Sequence, residues 1–179
     1  MQSQDLSSFK TTIIFTNTKL ASDLQDYLIL KYPGIPVHKR PWKVNHSRGE
    51  EIDKDDIVTR TANDSSDPIK LIITTSCMLM GINVPSAHIV INLGLMGNFT
   101  VCVQALGRIG RRVGDNEKTR PVGLMYNVLN ATDMAQHHTQ GIKDFMVSSR
   151  CLTAQLEEHF GWSKTKPVQS KCFRCSNCF

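Results

Sequence analysis

Short apolar runs alternate along the chain with longer segments whose apolar positions recur at helical spacing. TTIIFT (11–16) is β-branched and shows no polar alternation, which predicts a strand buried on both faces. Behind it, NTKLASDLQDYLILKY sets Leu20, Leu24, Tyr27 and Leu28 on one helical face. Asn17 or Thr18 caps that helix, and Pro33-Gly34 ends it. IPVH (35–38) predicts a short second strand, and RGEEIDKDDIVTR (48–60) a helix with Ile52, Ile57 and Val58 near one face. IKLIITT (69–75) and AHIVINLG (87–94) repeat the buried-strand pattern. FTVCVQALGRIG predicts a helix ending near Gly107 or Gly110, and PVGLMYNV (121–128) a further strand. The stretch 131–161 predicts one or two helices. Alternation of this kind, with continuous apolar strands, predicts an α/β fold whose parallel sheet is covered on both faces. A boundary near residue 145 divides this α/β part (1–145) from a helical, cysteine-bearing tail (146–179).

Composition changes the picture little. At 179 residues, 40% hydrophobic and 21% charged, the chain suits one folded domain with a small appendage. No apolar run approaches the roughly 20 residues of a membrane helix, and MQSQDLSSFK has no signal-peptide core, so an intracellular protein without a membrane partner is expected. A formal net charge of +5 permits a polyanionic partner without requiring one. Cys77 and Cys102 sit inside apolar segments and read as buried small hydrophobes.

The stretch VQALGRIGRR (103–112) is chemically more pointed. Arg108 and Arg111 lie three residues apart, each behind a glycine, so both can face one cleft. Guanidinium groups pair bidentately with phosphate and stay charged at any working pH. A solvated helix end with a glycine stop would produce the same residues. MGINVPSAHIVINLG (80–94) puts Gly81 and Asn83 in a turn between two buried strands, the position at which open α/β sheets bind ligands. Equally informative is an absence: the chain holds no G-x-x-x-x-G-K-[ST] phosphate loop and no acidic pair after a strand to hold magnesium. By itself it is expected not to hydrolyse a nucleoside triphosphate.

Taken in order, IIFTNT, LIITTSCMLMGINVP and QALGRIGR resemble the fourth, fifth and sixth motifs of nucleic-acid helicases. Together they resemble the C-terminal RecA-like lobe of the RecQ family of ATP-dependent DNA helicases. The MGIN turn and Gln104 in place of histidine favour RecQ over the RNA-helicase relatives, and His46-Ser47 before an acidic helix adds to the likeness, which spans about residues 10–178. The resemblance implies a three-layer α/β/α lobe of the P-loop NTPase type with a parallel central sheet, followed by a small helical zinc-binding subdomain. It implies that Arg111 is the arginine finger and Arg108 its companion at the γ-phosphate. Gln104 would line the cleft, Gly81 and Asn83 would lie near the nucleotide with Asn83 at the ribose, and Thr75 and Asn17 would touch the bound strand. ATP and Mg2+ would bind only together with an N-terminal RecA-like lobe that carries the Walker A loop, and the motor would track DNA 3′ to 5′. In a eukaryote the compartment would be the nucleus. Leu79 departs from the family's glycine before the MGI turn, and RVGD follows Arg111 where a shorter DG is common.

KCFRCSNCF supplies C-x2-C-x2-C, with Cys151 placed 20 intervening residues upstream of Cys172. Zinc takes four ligands in a tetrahedron, and thiolates close such a structural site. Cys151, Cys172, Cys175 and Cys178 are the candidate ligands; free thiols and an iron–sulfur cluster are the alternatives, the latter lacking the cysteine-proline of the bacterial ferredoxin run. His137, His138 and His159 read as surface residues, since four cysteines suffice. The pattern RCLTAQLEEHFG…CFRCSNC also resembles the RecQ zinc subdomain. Trp42, Trp162 and Phe173 can stack on bases but read first as packing residues, and Lys164, Lys166, Lys171 and Arg174 make the tail basic. The competing function is a non-catalytic nucleic-acid- or protein-binding module that keeps the lobe without the motor.

Overall fold

The computed structural model describes residues 9–45, 54–61, 65–75, 84, 87–94, 97–108, 124–129, 140–161, 175 and 177. In chain order the elements are β1 (Thr12–Phe15), α1 (Thr18–Lys31), a 3-10 turn (Val37–Lys39), β2 (Trp42–Asn45), α2 (Lys54–Thr61), β3 (Leu71–Thr74), β4 (Ile89–Leu93), α3 (Phe99–Leu106), β5 (Leu124–Val128), α4 (Gln140–Val147) and α5 (Leu152–His159). The strands form one sheet in the order β2-β3-β1-β4-β5, and every neighbouring pair is parallel. Central β1 pairs Ile14 with Ile73 on one side and Ile91 on the other.

Alternation along the strands sorts the apolar side chains onto two faces. On one face Ile13, Phe15, Ile72 and Val90 form the main core with Ile57 of α2, Cys102 and Ala105 of α3, and Ile142 and Phe145 of α4. On the other, Trp42 and Ile73 pack against Ala21 and Leu28 of α1. Ile13, Ile57, Ile69, Ile72, Ile73 and Ile142 are at most 1% exposed. Each such side chain contributes about 1.5–3 kcal/mol of hydrophobic burial.

Three details depart from the sequence expectation. IPVH is not a strand: Pro36 leads into the 3-10 turn Val37–Lys39, and the second strand is the WKVN that follows. Among the described residues, cover over the sheet is uneven as well. α1 packs on the β2–β3–β1 side of its face, while Leu124, Tyr126 and Val128 of edge strand β5 remain 51–52% exposed. Finally, the expected boundary at residue 145 falls inside α4, and Leu152 and Leu156 of α5 pack on the same core as the sheet.

Candidate functional site

The C-terminal ends of the parallel strands make one rim, and Asn17 and Thr75 stand on it. Thr16 N–H donates to Thr74 O at 2.9 Å, tying the end of β1 to that of β3, and Thr75 N–H donates to Asn45 O at 3.1 Å beyond β2. Thr16 Oγ1 reaches across to Leu93 O at 3.2 Å. Asn17 is the N-cap of α1, its Oδ1 accepting from Leu20 N–H at 2.9 Å. On the β4 side, Gly94 turns the chain with φ 100°, a conformation that favours glycine, and its N–H donates to Val128 O at 2.9 Å. Asn92, 1% exposed, donates Nδ2 to Asn127 Oδ1 at 2.6 Å and locks the ends of β4 and β5 together.

From this rim the chain enters α3. Asn98 caps it, Oδ1 accepting from Val101 N–H at 3.0 Å. Cys102 and Ala105 turn its inner side into the core at 1% and 0% exposure. Burial in apolar surroundings pushes the Cys102 thiol up to about 11. Gln104 and Arg108 sit four residues apart at the C-terminal end; Gln104 is exposed, and Arg108 is only 7% exposed. Gly107 between them is helical, φ −65° and ψ −2°, with its N–H on Val103 O at 2.8 Å. A Cβ there would meet nothing closer than Val103 O at 3.4 Å, an ordinary contact. Among the described residues, nothing packs against Gly107 closely enough to exclude a Cβ.

Of the site residues expected from the sequence, Asn17 and Thr75 come together on the strand rim, and Gln104 and Arg108 on one helix end. Arg111, Gly81, Asn83, Cys172 and Cys178 lie outside the described residues, as do Cys77, Trp162 and Phe173. Trp42 is a core residue, 3% exposed.

Two of the four tail cysteines are described, and they meet. Cys175 Sγ lies 3.9 Å from Cys151 Sγ, and neither is in a disulfide. Cys151 is also the N-cap of α5, its sulfur accepting from Ala154 N–H at 3.4 Å. Asn177 Nδ2 donates to Ser148 O at 2.6 Å and Arg150 O at 2.8 Å, fastening the tail beside that helix start. Among the described residues no group of three or more histidine, cysteine, aspartate or glutamate side chains converges to hold a metal. Sequence reasoning missed Asn177 as a fastener and His159 as a contact: its ring stacks on Phe99 with centroids 4.1 Å apart. Only the long-range fold brings these partners together.

The model of the helicase conserved C-terminal domain matches residues 3–113, more than half of the chain. The chain belongs to the helicase conserved C-terminal domain family. The match takes in β1 to β4, α3 and the Arg108 that follows it, and the five-stranded parallel sheet is that of a RecA-like helicase C-terminal lobe. Among solved structures, this helicase lobe is similar to the C-terminal part of the Fun30 ATPase domain, with 15% identity and a TM-score of 0.50 over 84% of this chain and 47% of that one. It is also similar to Mycobacterium smegmatis helicase Lhr bound to single-stranded DNA and AMP-PNP, with 19% identity, a TM-score of 0.47 and coverage of 72% of this chain and 16% of that one. A third is S. cerevisiae Dbp5 bound to RNA and ADP BeF3, with 20% identity, a TM-score of 0.47 and coverage of 87% and 34%. The helicase lobe thus spans less than half the length of each. No curated protein sequence matches it.

Proposed function

We propose that the chain is the second motor lobe of a RecQ-like, ATP-dependent 3′–5′ DNA helicase, completed by a structural zinc clip. The observation that carries the reading is the pairing of a helicase C-terminal lobe with a cysteine clip on its last helix. In this role Arg108 and Arg111 stabilise charge developing on the γ-phosphate, an effect of about 10³–10⁵ in rate for such arginines. The Arg108 side chain is held at 7% exposure, so its planar donors are fixed by packing rather than free in solvent. Gln104, exposed on the same helix end, reads the state of the cleft, with Gly81 and Asn83 at the nucleotide. Thr75 and Asn17 line the DNA track; the Asn17 oxygen is engaged in the α1 cap, so its amide Nδ2 is the group left for a phosphate. Both the nucleotide and Mg2+ depend on a first lobe with a Walker A loop.

Zinc fits the described thiols. With Zn–S bonds of about 2.3 Å at the tetrahedral angle, two ligand sulfurs stand about 3.8 Å apart. The Cys151–Cys175 separation is 3.9 Å, nearly twice a disulfide bond. Cys172 and Cys178 complete the set. Bound there, zinc would supply folding energy to a tail too small for its own core. The Ala154 N–H on the Cys151 sulfur steadies a thiolate ligand.

The reading is tested by supplying a RecQ-type first lobe and comparing DNA with RNA as the stimulating strand. DNA-stimulated ATP hydrolysis, and unwinding from a 3′ tail, is the expected result. Stimulation by RNA alone would move the chain to the RNA-helicase relatives, and no stimulation at all would favour the binding module. Elemental analysis should find one zinc per chain, lost in Cys175→Ser; iron in its place would overturn the zinc clip.

A further inference from the structure

We propose that the cysteine tail positions α3 and the Arg108 that follows it, and that His159 is the side chain through which it does so. The inference rests on the motor reading above for its consequence, but the contact itself is independent of it. α3 is eight residues long, too short to hold its own conformation in water. Its two fully buried residues, Cys102 and Ala105, are small, and the largest side chain it packs on the core is Phe99, its first residue.

That ring sits in a seat built by segments far along the chain. Phe145 of α4 meets it edge-on at 5.2 Å and 70°. Gly141 lies alongside, close enough that a Cβ would come within 3.5 Å of Phe99 Cε2. His159, the last residue of α5, stacks on it at 4.1 Å and 26°, and is itself met edge-on by Phe160 at 4.9 Å. The other end of α5 is where the tail is fastened, through Cys151 beside Cys175 and Asn177 on Ser148 and Arg150. Between the two ends, Leu152 and Leu156 press α5 onto the core. A continuous path therefore runs from the cysteine clip along α5 to His159, across to Phe99, and down α3 to Gln104 and Arg108. His159 touches neither nucleotide nor DNA; it is a positioning residue, and it needs no protonation change to act.

The test is backbone amide exchange on the full chain, read at residues 98–108 against β1 as internal control. The relevant amides are Cys102 N–H on Asn98 O at 3.2 Å, Gly107 N–H on Val103 O at 2.8 Å and Arg108 N–H on Ala105 O at 3.0 Å. His159→Ala should speed their exchange about two- to tenfold, the worth of one aromatic pair, and leave β1 unchanged. His159→Phe keeps a ring and should restore the protection. Cys175→Ser, which loosens the far end of the path, should move the same amides. With a first lobe supplied, His159→Ala should lower kcat by a similar factor and leave KM for ATP unchanged, with His159→Phe again restoring it. Unchanged exchange at 98–108, equal behaviour of the alanine and phenylalanine variants, or acceleration spread equally to β1 would each overturn the proposal. So would altered exchange with a normal kcat. If even the wild-type lobe supports no ATP hydrolysis, it is the motor reading that fails, and the exchange data alone decide the contact.

Discussion

Replacing Cys102 by alanine should flatten the lobe's response to alkali while leaving it folded at neutral pH. The thiol is 1% exposed among the apolar side chains of the main core. Burial disfavours its charged form and raises its pKa from 9.0 to about 11. The sign follows from linkage. The folded state holds the proton more tightly than the unfolded chain, so the stabilisation is complete below pH 9 and is lost as pH climbs toward 11. Two units correspond to about 2.7 kcal/mol in full, and to about 2 kcal/mol by pH 10.5. Urea unfolding of wild type and Cys102→Ala at pH 7.5, 9 and 10.5 separates this thiol from every other alkaline titration, because those groups are common to both proteins. Alanine should cost about 1 kcal/mol at pH 7.5. That deficit should shrink and then reverse by pH 10.5, where only the wild type must expose or ionise a buried thiol. Stability profiles that stay parallel across this range would refute the placement of Cys102 in a dry core.

The two glycines at helix ends should behave oppositely. Gly107→Ala, at φ −65° with only ordinary neighbours, should leave the melting temperature unchanged or raised by up to about 1 kcal/mol of stability. Gly161→Ala, at φ +68°, should cost about 1 kcal/mol in the same assay. Asn98→Ala removes the α3 cap and should lower the urea midpoint by the equivalent of about 1 kcal/mol. Ile72→Ala empties a fully buried position between the two central pairings of β3 and should cost about 2–5 kcal/mol with an unchanged denaturant slope.

The buried strands were legible because burial on both faces writes itself as a short unbroken apolar run: IIF in β1, LII in β3 and IVI in β4. β2 was not. It lies at a sheet edge and alternates Trp42 and Val44 with Lys43 and Asn45, four residues too short to separate from the proline-bearing turn before them. β5 was found as a strand; the pattern of Leu124, Tyr126 and Val128 records which residues are apolar, not that each is about half exposed. At the site, the order of motifs is what singled out Gln104, Arg108 and Thr75; the fold places Thr75 just past β3 and Gln104 and Arg108 at the end of α3. The cap at Asn17 was legible too, since it precedes a periodic apolar segment, whereas Cys151 was read only as a metal ligand and its capping of α5 was not. What no local pattern could carry is the seat of Phe99, made by residues of α4 and α5 that only the packed fold brings to it.

The most decisive measurement is the turnover of ATP when the first lobe is joined to this chain and DNA is saturating. With Arg111→Ala, kcat should fall by about a thousandfold or more with KM for ATP little changed, as expected of an arginine acting on the transition state. A variant that hydrolyses ATP at the wild-type rate would contradict the assignment of Arg111 to a nucleotide cleft.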